Sequence, residues 1–288
     1  MTSGIFNIAH RGMIRSFPDR TRARVEKLNE YLKGHVLSGD NFVCRHFSTC
    51  RESRREYPFY DGQLHHVGKH YDLEVDGRPT RIVVVGQEYG HGPEKVTLAQ
   101  RSEMIRASAN KNFSSRGRNP HMKGTASILR LLLGREPGAD RDGEQLGVDA
   151  RAHIFDGFAL VNYLLCSAVK EARQDSSKGG TKGFSSPTMR RNCADHFVQS
   201  LKILDPTVIV VEGKGVREWL SPALALPIRG PIVDHVLITG NLVPLLTFDH
   251  PSAGGSSGYW GGSPNSRYLR EIVAPTIRSF LTNGSLTA

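Results

Sequence analysis

Several groups of residues in this chain have the types and spacing for chemistry. Gly86-Gln87-Glu88-Tyr89-Gly90-His91-Gly92 places a carboxylate among glycines. Glycine at such points permits a tight turn and close backbone approach to a ligand. Glu88 can then serve as a general base, with Gln87 beside it, or face a cation-like transition state. His250-Pro251-Ser252 presents an imidazole braced by a proline. A histidine so placed can donate a hydrogen bond to charge developing on a leaving group. The Gly254–Gly262 loop follows, with Tyr259 and Trp260. Glycine with aromatics suits a loop that tracks a nucleic-acid backbone and stacks on bases. Asn162 interrupts the apolar run Leu160–Cys166. A buried amide is costly unless hydrogen-bonded, and its acceptor and two donors match a pyrimidine edge. The plainer alternatives are a strand-to-helix connection with a solvated Glu, an exposed turn histidine and an internally satisfied Asn. The cysteines are Cys44, Cys50, Cys166 and Cys193. Their spacing is neither a zinc ribbon nor a bacterial ferredoxin run, and by itself reads as separate buried thiols.

These groups need elements to hold them. Asp19–Lys33 reads as an amphipathic helix, with Val25, Leu28 and Leu32 on one side, Asp19 as N-cap and Gly34 as stop. Gly34–Thr80 has a poor pattern and reads as a loop-rich lead-in. Arg81–Gly86 and Thr207–Gly213 are apolar, β-branched runs ending in glycine, which is how buried parallel strands look. Ala152–Leu165, Val233–Thr239 and Val243–Phe248 hold further strands. Helices are expected at Thr97–Ala109, Thr125–Leu133, Thr188–Leu204, Val216–Leu220 and from Ser266 to about Leu281, with a Gly/Ser/Lys loop at Arg173–Pro187. From residue 81 onward, strands and helices alternate. The expected fold is α/β, a three-layer sandwich with a mostly parallel central sheet and helices on both faces. The lead-in would cover residues 1–75, packed on a core of residues 76–288. In such sheets ligands sit beyond the carboxyl ends of the strands. The loops after Val85, near Asn162, after Val211 and after Phe248 are where a site belongs.

Composition narrows the function classes. The chain has 288 residues, 38% of them hydrophobic, which supports a sizeable core and excludes a disordered chain. No apolar run reaches transmembrane length, and the first ten residues do not read as a secretory signal. The expected location is cytoplasmic, with no membrane partner. The net charge of +10 favours a polyanionic partner. Basic residues gather at Arg11–Arg24, Arg51–Arg55 and Arg116–Lys123.

Taken together, these segments resemble the uracil-DNA glycosylase superfamily over roughly residues 44–270. The glycine-rich turn is similar to its first motif, with Gln87 and Glu88 where its water-activating residues occur. His250-Pro251-Ser252 resembles its other signature motif, and Gly258-Tyr259-Trp260-Gly261 the Gly-aromatic-aromatic-Gly run after it in the main branch. Asn162 sits where the family keeps its uracil-reading Asn. The order of the cysteines resembles the iron–sulfur branch: two before the first motif, one shortly after the Asn, and one on the next helix. The sequence departs from that branch in the five residues between Cys44 and Cys50, where two is usual. It departs also in its long loop before Cys193. Gly90 stands where the main branch has a Tyr that blocks the thymine methyl, and Ala and Gly follow Ser252 where several members carry a Leu wedge.

The resemblance implies a DNA repair enzyme that flips out uracil and hydrolyses its N-glycosidic bond. Glu88, Gln87 and His250 would be catalytic. Asn162, Gly90, Tyr89 and His121 would line the base pocket, and Ser252, Tyr259 and Trp260 would touch DNA. Cys44, Cys50, Cys166 and Cys193 would hold a [4Fe-4S] cluster, with no nucleotide cofactor, in a monomer. The alternatives are a different target base (hypoxanthine, xanthine or mismatched thymine), a non-catalytic DNA-binding module, and an unrelated α/β enzyme whose glycine turn cradles phosphate.

Overall fold

The computed structural model describes residues 13–88, 95–110, 118–137, 144–148, 151–170 and 182–283. Its centre is a six-stranded sheet. The strands are β1 (His66–Val67), β2 (Ile82–Gly86), β3 (Phe158–Asn162), β4 (Val208–Glu212), β5 (Val233–Ile238) and β6 (Asn241–Phe248), in the order β5-β6-β4-β2-β3-β1. β2 and β4 are buried along their whole length, as their unbroken β-branched runs require. The four inner strands run parallel, with Val85 level with Val161 and Val211, and Glu212 level with Phe248. Both edges are antiparallel. β5 turns back into β6 through Thr239 and Gly240, both with positive φ, as a two-residue hairpin demands. β1 pairs with β3.

Successive side chains of a strand point to opposite faces, and here they enter two separate cores. Val83, Val85, Val211 and Leu245 pack with Leu28 and Leu32 of α1 (Pro18–His35) and with Phe197 and Leu201 of α5 (Pro187–Leu204). Leu220 of α6 (Lys214–Leu220) joins them. Ile82, Val84, Val210 and Leu246 pack with Ile128, Leu129 and Leu132 of α4 (Pro120–Leu132) and with Ile277 and Phe280 of α7 (Ala274–Thr282). α2 (Phe47–Glu52) and α3 (Leu98–Asn110) complete the seven α-helices among the described residues.

Several boundaries differ from the sequence reading. α1 opens on Pro18 at its first position, so Asp19 lies in the first turn rather than capping it, and the helix continues through Gly34 to His35. Proline's fixed φ suits that opening. α4 begins at Pro120, five residues before Thr125, because the Asn119 side chain caps it by accepting from Met122 N at 2.9 Å. The last helix is preceded by a π-turn at Leu269–Val273. Pro275 lacks the N–H a regular turn would use, and the wider turn accommodates it. Within the expected loop Arg173–Pro187, Lys182–Phe184 forms a strand on Ser167–Lys170, while residues 171–181 lie outside the described set.

The lead-in is bonded into the fold. It supplies β1, and Ile14–Ser16 pairs with Leu73–Val75, which turns into Arg78–Thr80 across the expected 75/76 boundary. Among the described residues no helix is long and apolar enough to cross a membrane.

Candidate functional site at the carboxyl ends of the sheet

By chain order the parallel strands run second, first, third, fourth across the sheet (β3-β2-β4-β6). The chain therefore leaves β2 in one direction and β4 in the other. In open parallel sheets the ligand crevice forms outside the carboxyl ends where the order reverses. That edge carries Gly86, Asn162, Glu212 and Phe248.

A cavity of about 370 Å³ lies there, lined by Glu88, Arg101, Ile105, His121, Phe155 and Asn162, among others. Grooves of about 520 and 570 Å³ exist elsewhere, but they lie against α1 and away from the carboxyl ends of the parallel strands. The cavity joins residues from the loop after β2, the end of β3, and helices α3 and α4.

The backbone of β2 continues past Gly86, where Tyr163 N and Leu164 N donate to Gly86 O and Gln87 O at 2.9 Å. This zipper sets Glu88 beside Asn162. Gln87 Nε2 donates to Glu88 Oε1 at 3.0 Å, while Glu88 Oε2 is buried without a partner. A methyl group on Gly183 would overlap Glu88 Oε1, so the absent side chain is what admits the carboxyl. Burial pushes the Glu88 carboxyl up to about 8, against the opposing hydrogen bond from Gln87. Gln87 does not line the cavity and meets it only through this bond to Glu88.

Asn162 is 5% exposed and lines the cavity. Its Oδ1 lies over Gly86, and its backbone N–H is fixed by His65 Nδ1 at 3.3 Å. The residue is thus buried at the end of β3 and lines the cavity.

His121 Nε2 meets Glu212 Oε2 at 2.6 Å, and Thr125 Oγ1 donates to Glu212 Oε1 at 2.9 Å. Burial presses the His121 imidazole down, but the charge and hydrogen bond of Glu212 more than offset this and hold it above its ordinary value. His250 does not line the cavity. It stands against His121, ring centroids 4.8 Å apart. Its Nδ1 accepts from Ser252 N at 3.2 Å, which leaves the proton on Nε2. Burial, and then the neighbouring His121, hold it down at about 4.

The two histidine-bearing segments are locked together through glycines. A methyl on Gly124 would strike Pro251, and one on Gly261 would strike Pro120 O. Trp260 fills the joint. It is fully buried and donates from Nε1 to Asp249 O at 2.8 Å. The expectation that Trp260 touches DNA is therefore corrected: its indole braces the His250 loop from inside. Tyr259 is 52% exposed, in a left-handed conformation. Tyr89 and Gly90 lie outside the described residues.

Cys44, Cys50, Cys166 and Cys193 are all unpaired and all line one small cavity, closed by Phe42, Phe47, Leu165 and His196. Cys44 Sγ lies 3.6 Å from His196 Nε2, and Asn192 Nδ2 donates to Cys50 Sγ at 3.3 Å. Burial raises every one of these thiols, Cys193 to about 12. Among the described residues no three His, Cys, Asp or Glu side chains close on one point as ligands of a single ion do.

The basic clusters are not wholly turned outward. Arg24 pairs with Asp72 and Asp205, and Arg118 is buried against Glu144 with its guanidinium over the Phe155 ring.

Three contributors escaped the sequence reading. Glu212 carried a signal, an ionisable side chain at the last position of a buried strand. Phe155 and Gly183 carried none, because their roles arise from packing between distant segments. Comparison with protein-family profiles and with curated proteins finds no match for this chain.

Proposed function

We propose that the protein is a DNA base-excision glycosylase of the uracil-DNA glycosylase type, releasing uracil and leaving an abasic site. The observation that carries this reading is the convergence of Glu88, Asn162 and His121 in one cavity at the carboxyl ends of the sheet, with His250 against His121. The two cores on alternate strand faces support a three-layer sandwich as its frame.

In this reading the flipped base enters the cavity and Asn162 bonds its edge. Cytosine is rejected because its exocyclic amine reverses the donor pattern. The C1′–N bond breaks and its electron pair leaves on the base. His250 Nε2–H donates toward that charge. Water adds its hydroxyl to C1′ and yields a proton to the Glu88 carboxylate. Net positive charge on the protein draws DNA in a salt-dependent manner.

The cysteine cavity fits a [4Fe-4S] cluster in its donor set: four unpaired thiols, three buried and Cys44 partly exposed, beside the apolar Phe42, Phe47 and Leu165. A cluster spaces its ligands more widely than a single ion does. Bound there, it supplies folding energy rather than chemistry. Cys50→Ser is expected to lower the melting temperature and bleach a brown colour from the purified protein. A colourless wild type of unchanged stability would sink the cluster.

The function is tested by base release from a labelled single-stranded oligonucleotide with one central uracil, beside thymine and hypoxanthine substrates. Alkali-sensitive cleavage at uracil is the expected result. Retained DNA with no cleavage at any base would favour a binding module instead.

A further inference from the structure

Glu212 ends β4 at the reversal point of the sheet and is 0% exposed. A buried carboxylate is expensive unless a cation and hydrogen bonds meet it. Both of its oxygens are bonded, to His121 Nε2 and Thr125 Oγ1. The nearby cations on α6 are engaged elsewhere, Lys214 with Asp249 and Arg217 with Asp234. Among the described residues His121, when protonated, is the cationic partner that Glu212 meets, and of the His121, Glu212 and Thr125 side chains only that of His121, about a quarter exposed, reaches the cavity.

We infer that His121 is a second catalytic imidazole, held as a cation by Glu212 and Thr125, while His250 beside it serves as the neutral donor. The inference rests on the glycosylase reading and divides the labour between two adjoining rings, tilted at 33°. His121 Nε2 is committed to Glu212, so Nδ1–H is its remaining donor. His250 has its proton on Nε2 because Nδ1 accepts from Ser252 N. Two imidazoles 4.8 Å apart cannot both take a charge cheaply, and the carboxylate decides which one does. Among the described residues, the other charged groups lining the cavity with His121 are Glu88 and Arg101. When the base departs with its electron pair, a fixed cation beside it stabilises the anion without a proton having to move. Glu212 and Thr125 are positioning residues, since neither lines the cavity.

The sign of the pH dependence follows. Only protonated His121 is active, so base release falls on the alkaline side. Glu212→Gln keeps the shape and removes the charge that sustains the imidazolium. The expected result is a kcat about 100-fold lower, little change in KM for a uracil oligonucleotide, and an alkaline limb shifted to lower pH. Ring-nitrogen NMR of the full chain should show His121 deprotonating at lower pH in Glu212→Gln than in wild type. Glu212→Asp draws the carboxylate back from His121 and should give a smaller shift in the same direction, which serves if Glu212→Gln does not fold. An active wild type beside a variant of equal rate and unmoved alkaline limb would overturn this inference alone. A wild type that releases no uracil would overturn the glycosylase reading itself, even where NMR finds His121 charged.

Discussion

Glu88→Gln is expected to lose at least about 100-fold in base release, while DNA binding persists, and yet to melt higher than the wild type at pH 8. Both effects have one cause. Burial holds the Glu88 carboxyl up at about 8, and Oε2 has no partner. A carboxyl whose pKa is raised in the folded state favours folding at low pH, and that contribution is lost as pH rises from its ordinary value toward 8. Glutamine removes the penalty, and a gain of a few degrees is the expected scale. The same ionisation gives wild-type base release a climb on the acid side of the alkaline fall set by His121, and the climb should vanish in Glu88→Gln. Gly183→Ala tests the wall rather than the base. Its methyl would displace the carboxyl toward water, so the climb should move to lower pH as activity falls. A Glu88→Gln protein with wild-type activity would remove Glu88 from the chemistry.

His250→Ala should lose about 100- to 1,000-fold in kcat, the usual scale for deleting a donor aimed at developing charge. Binding to uracil-containing DNA should be nearly unchanged, because the charge that His250 meets develops only as the glycosidic bond breaks. The imidazole is held down at about 4, so its contribution should be flat above about pH 5. Folding stability carries the matching sign. The folded state keeps His250 neutral, so its share of stability is full above the ordinary histidine value and is lost as pH falls toward 4. Stopped-flow base release together with fluorescence-detected DNA binding separates the effects. Parallel loss of binding and rate would mark His250 as a DNA contact instead.

How far the sequence discloses this arrangement depends on the range of the interaction. β2 and β4 were legible because buried parallel strands write an uninterrupted β-branched run. The site edge was legible too, since it follows from the strands' carboxyl ends. β1 was not, because a two-residue edge strand has no periodicity, and its His66 is buried by a bond to Phe155 O. Trp260 was misjudged because a Gly-rich loop suggests exposure, whereas here the glycines let the loop fold tightly over a buried indole. The cysteines resembled a ligand set by their order alone; the shared cavity depends on α5 lying beside the lead-in, which spacing does not encode. Glu212 was visible as a residue, but its pairing with His121 spans separate elements.

The cysteine cavity also imposes an order on biosynthesis. Cys44 and Cys50 leave the ribosome first, but Cys166 and Cys193 complete the cavity only after β3 and much of α5 have been made. β1, likewise, has no partner until residue 160 exists. The N-terminal segment must therefore wait, with its thiols and apolar helix face uncovered, for most of the chain to follow. Such a nascent chain is a natural client for chaperones, and a chain truncated before α5 should be cleared rather than accumulate.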